Sequence, residues 1–153
     1  MPDDALTPAL PPERLRRLVS WQTNKVATLG TRLTARRMAT GARSDFAVLA
    51  ALEELGNLSQ ADLGRHLGLD RNDVNGIVNR LEGAGFAARR ADPQDRRRNI
   101  ITLEPAGRAH LDELQVHADD VQEGLLVALS SDEREVLIEL LGKVLAGHGP
   151  QPA

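Results

Sequence analysis

Residues 58–103 read LSQADLGRHLGLDRNDVNGIVNRLEGAGFAARRADPQDRRRNIITL and decide the fold of this 153-residue chain. They predict two short helices joined by a tight turn and followed by a two-stranded ribbon. Ser59 and Asp62 form a capping-box pattern that begins the first helix, and Gly68 ends it. Asp70 caps the second helix, which leaves a turn of about three to four residues containing glycine. This arrangement is typical of a helix-turn-helix.

The second predicted helix, residues 70–82, has an apolar face and a polar face. Its apolar residues recur at helical spacing and are expected in the core: Val74, Ile77, Val78 and Leu81. At about 100° per residue, the opposite face carries Asn72, Asn75, Gly76 and Asn79. Amides pair a donor with an acceptor, which suits adenine edges in a major groove, and glycine allows close approach of the backbone. The alternative is a polar face that only meets solvent.

The predicted ribbon has strands at 86–90 and 99–103 around a loop with turn residues. Between residues 86 and 98 there are five arginines and two aspartates, a local balance of +3. A basic tip on a stiff ribbon favours contact with phosphates or insertion into a narrow minor groove. A charged loop facing solvent is the alternative.

Together these parts resemble the winged helix-turn-helix of the MarR (multiple antibiotic resistance regulator) family of bacterial transcription regulators. The wing pattern of that family, Asp-x-Arg followed six residues later by Leu, is present as Asp95, Arg97 and Leu103. The resemblance extends more weakly to the flanking helices. Two positions depart from the family pattern. Gly76 stands where relatives often carry a long side chain, and Glu104 replaces the usual Thr, a better N-cap, before the next helix.

A set of residues is expected to contact DNA. Its members are Ser59, His66, Arg71, Asn72, Asn75, Gly76, Asn79, Arg96, Arg97 and Arg98. The asparagines would face the floor of the major groove and predict half-sites that contain adenine. The resemblance implies that Arg97 enters the minor groove, held in pose by Asp95, while Arg96 and Arg98 contact phosphates or fix the ribbon. Ser59 and His66 are candidates for contacts with the DNA backbone.

The remaining sequence predicts four further helices with apolar stripes, six in all. They cover 11–38, 45–55, 106–129 and 132–146. Ser44 is expected to cap the second of these, and Ser130 with Glu133 the last. Leu58 is expected to add a short strand beside the wing. The predicted fold class is mainly α with a small β-wing, an α+β winged helix-turn-helix within a single domain, residues 1–153.

The outer helices, within 11–38 and 105–147, must bury their apolar stripes. A core shared by two subunits is the economical solution, and the resemblance implies the same obligate two-fold homodimer. The winged helix-turn-helix region, 43–104, would then be the DNA-binding part of each subunit. Two recognition helices would enter successive major grooves about one helical turn apart on a palindromic site.

Composition indicates a globular protein, with 41% hydrophobic and 27% charged residues. No run approaches the roughly 18 apolar residues of a membrane span. The N-terminal sequence lacks secretory features, so a cytoplasmic location is expected. The absence of cysteine excludes disulfides and the cysteine-based oxidant sensing that some MarR relatives use. The net charge is −3, but residues 104–153 carry three basic and ten acidic residues, so acid is concentrated away from the proposed DNA-binding segment.

Other chemistry has weaker support in the sequence. His110, Glu113 and His117 have a spacing that would place three metal ligands near one helix face, but exposed polar side chains are the favoured interpretation. The sequence contains no phosphate-binding glycine loop, nucleophile elbow or catalytic triad pattern. We therefore expect a protein that is not an enzyme and uses no cofactor and no metal.

Regulation by a small molecule follows only from the resemblance. MarR relatives often release DNA when a small aromatic or phenolic molecule enters a crevice between the dimerisation helices and the winged domain. Arg17, Trp21 and Phe46 are the residues expected to line it. For Trp21 a packing role is the favoured alternative. The predicted function is a sequence-specific DNA-binding transcriptional regulator, most simply a repressor. The alternatives are an architectural protein that binds DNA without specificity and a protein-interaction module on a winged-helix scaffold.

Overall fold

The computed structural model describes residues 10–149, which form seven helices and a three-stranded antiparallel sheet. The elements are α1 Glu13–Arg16, α2 Val19–Arg37, α3 Ala42–Leu55, β1 Leu58–Ser59, α4 Gln60–Leu67, α5 Arg71–Gly83, β2 Ala87–Ala91, β3 Asn99–Leu103, α6 Pro105–Leu125 and α7 Ser131–Ala146. The mainly α fold with a small β-wing is confirmed. None of the described helices is long and apolar enough to cross a membrane.

The described chain divides into two compact units. One contains residues 10–33 and 123–149, and the other contains residues 34–122. The second unit holds the main core, which is built from α3, α4, α5, the sheet and the first turns of α6. The expected single domain, 1–153, extends beyond the described residues at both ends and stays a prediction.

The N-terminal helix expected over 11–38 is divided in two, which accounts for the seventh helix. The Arg17 N–H bonds four residues back to the Glu13 carbonyl oxygen, whereas the Leu18 N–H bonds three residues back to that of Leu15. Such a three-residue closure tightens the last turn of a helix and ends it. Helix α2 therefore begins anew at Val19.

The predicted cap of α3 is wrong. The helix begins at Ala42, and its N-cap is Gly41 with φ +88°. Ser44 lies inside the first turn, where its hydroxyl donates to the Gly41 carbonyl oxygen at 2.8 Å. A backbone in the left-handed region suits glycine, because a Cβ is disfavoured there.

The helix-turn-helix forms through the predicted local contacts. The Ser59 hydroxyl accepts from the Asp62 N–H at 3.1 Å, and the Asp62 carboxylate accepts from the Ser59 N–H at 3.4 Å. Gly68 ends α4 with φ +64°, and the Asp70 carboxylate caps α5 by accepting from the Asp73 N–H at 2.8 Å. The four apolar residues predicted for the buried face of α5 are all buried. The motif is therefore confirmed in both helices.

The Asp62 carboxylate makes the stability of this capping box depend on pH. The hydrogen bond from the Ser59 hydroxyl, at 2.6 Å, lowers the pKa of Asp62 below its usual value of 3.8, and the nearby Arg65 and Arg98 guanidinium groups act in the same direction against the opposing effect of burial. A lowered pKa in the folded state means that the ionised carboxylate stabilises the fold. This stabilisation is present above about pH 4 and is lost as pH falls through the lowered pKa.

We expect Asp62→Asn to lower the free energy of unfolding by about 1 kcal/mol at pH 7. The difference from the wild type should shrink at pH 2, because the wild-type carboxyl loses its charge as pH falls through its lowered pKa. Urea unfolding at both pH values measures this difference. Asp112→Asn, at an exposed position on α6, is the matched control and should show no such trend. An equal loss for Asp62→Asn at both pH values would contradict the assignment.

The wing is the antiparallel pair β2 and β3, with β1 added on the far side of β3. Residues pair from Ala87 with Leu103 to Ala91 with Asn99. The predicted strands are confirmed, with the first shifted by one residue, and Leu58 pairs with Ile101 as part of β1.

Glu104, which stands in place of the Thr usual in the family pattern, lies where the wing meets α6. Its carboxylate accepts from the Arg90 guanidinium at 2.9 Å, and its N–H donates to the Phe86 carbonyl oxygen at 3.0 Å. At the other end of α6, a second capping box between Ser130 and Glu133 begins α7, as predicted.

Candidate nucleic-acid interface

The polar face of α5 is exposed as the helical periodicity predicts. Asn72, Asn75, Gly76 and Asn79 all face solvent, opposite the buried apolar stripe. A Cβ built on Gly76 would meet no atom within 4 Å, so this position has open space in front of it. The face can therefore be approached by a large partner along most of the helix.

Arg89 of β2 joins this face to the wing. Its Nη2 donates to the amide oxygen of Asn79 at 2.7 Å and to that of Asn75 at 3.1 Å. Its Nη1 forms an ion pair with the Glu82 carboxylate near the end of α5. The side chain is only 19% exposed, although it carries a charge. Two of the three asparagines are thus fixed by one arginine from the neighbouring strand.

Sequence reasoning counted Arg89 only as part of the basic wing. A signal was present, because successive residues of a strand point to opposite faces. Arg89 and Arg90 therefore diverge: Arg89 reaches α5, and Arg90 reaches Thr102 and Glu104.

The tip of the wing is shaped by aspartates that bind its main chain. Asp95 accepts from the backbone N–H of Arg97 at 3.0 Å through its carboxylate and from that of Arg98 at 2.9 Å through its carbonyl oxygen. Asp92 accepts from the Gln94 N–H at 2.9 Å. Asp95 thus orients the turn itself, and the side chains of the three consecutive arginines at 96–98 remain exposed.

An open cleft of about 990 Å³ lies between α4, the start of α5 and the base of the wing. Seven of its lining residues carry cationic or amide side chains suited to nucleic acid: Gln60, Arg65, Arg71, Asn72, Asn75, Arg98 and Asn99. Guanidinium groups recognise phosphate oxygens, and amides recognise base edges. Within the unit 34–122, the amide face of α5 and the base of the wing therefore line one concave surface.

Residues 41–98 match the model of the MarR family. A probable transcriptional regulator from Pseudomonas aeruginosa, known from a crystal structure, is 33% identical in sequence and superposes with a TM-score of 0.76. The match covers 86% of this chain and 99% of the Pseudomonas chain. The chain belongs to the MarR family. This is a family of transcriptional regulators rather than of enzymes.

Two further MarR relatives are informative. The transcriptional repressor NicR of Pseudomonas putida is 34% identical over 100 residues, which are 65% of this chain and 63% of NicR. BpsR of Bordetella bronchiseptica, solved in a study of the regulation of its DNA binding by 6-hydroxynicotinic acid, is 26% identical with a TM-score of 0.72, and the match covers 82% of this chain and 97% of BpsR. Matches to the first curated relatives span only 60 to 63% of the lengths of those proteins.

The two residues predicted to contact the DNA backbone, Ser59 and His66, differ in burial and in hydrogen bonding in this MarR chain. Ser59 is buried, and its hydroxyl both donates to and accepts from Asp62 in the capping box of α4. A DNA contact through this hydroxyl would require it to leave the cap. His66 is exposed on α4, and the part of the chain that the structure describes gives it no partner.

The residues expected to line a ligand crevice belong to different units of this MarR chain. Arg17 is exposed at the C-cap of α1, and the half-buried Trp21 ring lies 5.3 Å from the Lys25 Nζ. Both are in the unit formed by 10–33 and 123–149. Phe46 lies in the other unit, where it packs against the core. A shared crevice stays a prediction.

The histidines that suggested a metal site have other surroundings. The His110 ring stacks on Phe86 with the ring centroids 4.2 Å apart, and its Nδ1 lies 3.5 Å from the Glu113 carboxylate. His117 is exposed. Among residues 10–149, no group of three or more histidine, cysteine, aspartate or glutamate side chains is arranged to hold a metal ion.

Proposed function

We propose that this protein is a transcriptional repressor that binds a specific DNA sequence, in the cytoplasm, through α5 and the wing. The observation that carries the proposal is the single concave surface lined by Asn72 and Asn75 of α5, by Arg71 at its start and by Arg98 of the wing. Helix α5 enters the major groove with its asparagines toward the base edges. The wing follows the DNA backbone, with Arg97 at the adjacent minor groove.

The repressor acts as a homodimer. In the described chain, no residue of α2 or α7 is buried. Large apolar side chains on both helices are exposed, among them Val19, Val26, Leu29, Val136, Ile138 and Leu145. Helices with such uncovered apolar positions gain stability by burying them, and a second copy of the same chain offers a matching surface. A two-fold dimer then pairs two recognition helices with a palindromic operator.

A small aromatic molecule controls the repressor. Support comes from BpsR, whose DNA binding is regulated by 6-hydroxynicotinic acid. Trp21 offers an aromatic surface for such a ligand, and Arg17, four residues earlier in the chain, offers a cation for its carboxylate. 6-Hydroxynicotinic acid is therefore the probe with which to begin. A ligand that binds the folded protein should raise its melting temperature.

Selection of bound sequences from a random DNA pool tests the proposed function. We expect a single enriched motif with two inverted half-sites centred about one helical turn apart. Enrichment of an unpaired half-site would contradict the two-fold dimer. The absence of any enriched motif would contradict sequence-specific binding.

We expect Asn72→Ala to reduce discrimination at one base pair of each half-site by roughly 1–3 kcal/mol. Asn72 is exposed at the start of α5 and lines the cleft, so its loss removes a base contact without disturbing the core. Affinities for the selected operator and for variants at each position, measured by fluorescence anisotropy, give the discrimination. Asn57→Ala, at an exposed asparagine before β1, is the matched control. An unchanged profile for Asn72→Ala would remove this residue from the interface.

A further inference from the structure

The asparagines of α5 are not equivalent in their hydrogen bonding. Asn75 accepts from Arg89 at 3.1 Å and from the Gln60 side-chain amide at 3.4 Å, both through its amide oxygen. Asn79 accepts from Arg89 at 2.7 Å through its own amide oxygen. Asn72 has no such partner among the described residues. The side-chain oxygens of Asn75 and Asn79 therefore already have hydrogen-bond partners within the protein.

The direction of these amides follows from chemistry. A guanidinium group has only donors, so the atom that faces Arg89 must be the amide oxygen and not the nitrogen. An amide oxygen has two lone pairs, and Asn75 uses both of them within the protein. Asn75 can therefore offer a partner only its NH₂ group. Asn79 keeps one lone pair, but its oxygen is turned toward Arg89 and its NH₂ group is turned away.

Arg89 is itself held firmly. Its Nη1 binds the Glu82 carboxylate, and its backbone N–H donates to the same carboxylate at 3.3 Å. Its Nη2, which has two hydrogens, supplies one to each asparagine. The low exposure of the side chain, 19%, strengthens these bonds, because little water competes for the donors.

The consequence concerns which bases these residues can read. Asparagine recognises adenine bidentately only when its oxygen accepts from adenine N6–H while its nitrogen donates to N7. The Asn75 oxygen has no lone pair left for the first of these bonds, and the bond from Arg89 holds the Asn79 oxygen toward the guanidinium rather than toward a base. NH₂ groups suit base edges that present acceptors without a neighbouring donor, which are N7 and O6 of guanine and O4 of thymine, whereas the N7 acceptor of adenine lies beside its N6–H donor.

We propose that Arg89 is a positioning residue that turns Asn75 and Asn79 into donors, so that they select guanine or thymine rather than adenine. Asn72, whose oxygen is free of such a bond, keeps the capacity to read adenine. This inference, which rests on the proposed sequence-specific binding of DNA, assigns the adenine expected in each half-site to Asn72.

The test compares motifs selected from a random DNA pool by the wild type, Arg89→Leu and the control Arg90→Leu. Motifs selected by Asn75→Ala and Asn79→Ala first show which base positions these residues read. At those positions the wild type should prefer guanine or thymine. In Arg89→Leu the freed oxygens should raise the preference for adenine about tenfold. Arg90→Leu removes the same charge from the adjacent position of the strand, where Arg90 binds Glu104, and should keep the wild-type preference.

A second measurement uses the wild-type protein alone, in case Arg89→Leu fails to fold. Replacing a selected guanine at these positions by 7-deazaguanine, or a selected thymine by a base lacking O4, removes an acceptor and should weaken binding about tenfold. Two results would overturn the inference and leave the proposed function standing. One is a wild type that prefers adenine at the Asn75 and Asn79 positions, and the other is an Arg89→Leu protein with the same base preferences as the wild type. A wild type that selects no motif would overturn both.

Discussion

Replacing Arg96, Arg97 and Arg98 together by alanine is expected to weaken DNA binding at least about 100-fold near 0.1 M salt. The three side chains are exposed at the wing tip, and their backbone is shaped by Asp95, so the substitutions remove charge without removing the turn. Each arginine that neutralises a phosphate releases about one counterion. The slope of log affinity against log salt should therefore fall in magnitude by about 2 to 3.

Fluorescence anisotropy titrations at several salt concentrations measure both quantities. The loss should be similar for the selected operator and for a scrambled duplex, because phosphate contacts carry little sequence information. The matched control replaces three exposed arginines of the same unit that lie outside the wing, Arg36, Arg43 and Arg108. It changes the net charge by the same amount, and we expect a loss of less than about fivefold. Equal losses for the two triple variants would show that net charge, and not the wing, governs binding.

Gly107→Ala is expected to destabilise the fold by at least about 3 kcal/mol. A Cβ at this position of α6 would lie 2.0 Å from the carbonyl oxygen of Phe86 and 2.8 Å from its carbonyl carbon. These are backbone atoms, and they cannot yield easily, because the same oxygen accepts from the Glu104 N–H and the Phe86 N–H donates to Leu81. The connection between α5 and the wing would have to move away from α6.

Gly76→Ala provides the matched control for this substitution. A Cβ there meets no atom within 4 Å, and alanine in a helix interior is more stable than glycine by about 1 kcal/mol. The two substitutions should therefore have opposite signs in urea unfolding followed by far-UV circular dichroism at equal protein concentration. A Gly107→Ala protein as stable as the wild type would contradict the close packing of α6 against Phe86.

The helix-turn-helix could be predicted because its determinants are local. Ser59 and Asp62, Gly68, and Asp70 act on backbone groups within a few residues, so sequence spacing alone places them. The same local rules identified the strands of the wing and the capping box of α7.

Two features that the sequence did not reveal depend on contacts between residues that are distant in the chain. The N-cap of α3 is Gly41, where the Arg80 guanidinium from α5 lies 3.2 Å from the position of a Cβ. The general preference for serine as an N-cap is a local rule, so it carries no information about that contact. The partners of Arg89 lie 7 to 14 residues away on α5, and only the angle between the wing and the helix brings them together. Which atoms of Asn75 and Asn79 are left without a partner inside the protein therefore depends on tertiary structure.

The most direct test of the account is the ratio of two affinities of the full chain, one for the operator selected from a random pool and one for a scrambled duplex of the same length. We predict a ratio of at least about 10³ at physiological salt, with both affinities rising as salt is lowered. Equal affinities would instead identify an architectural DNA-binding protein. No binding to either duplex at low salt would mean that the winged helix serves as a protein-interaction scaffold.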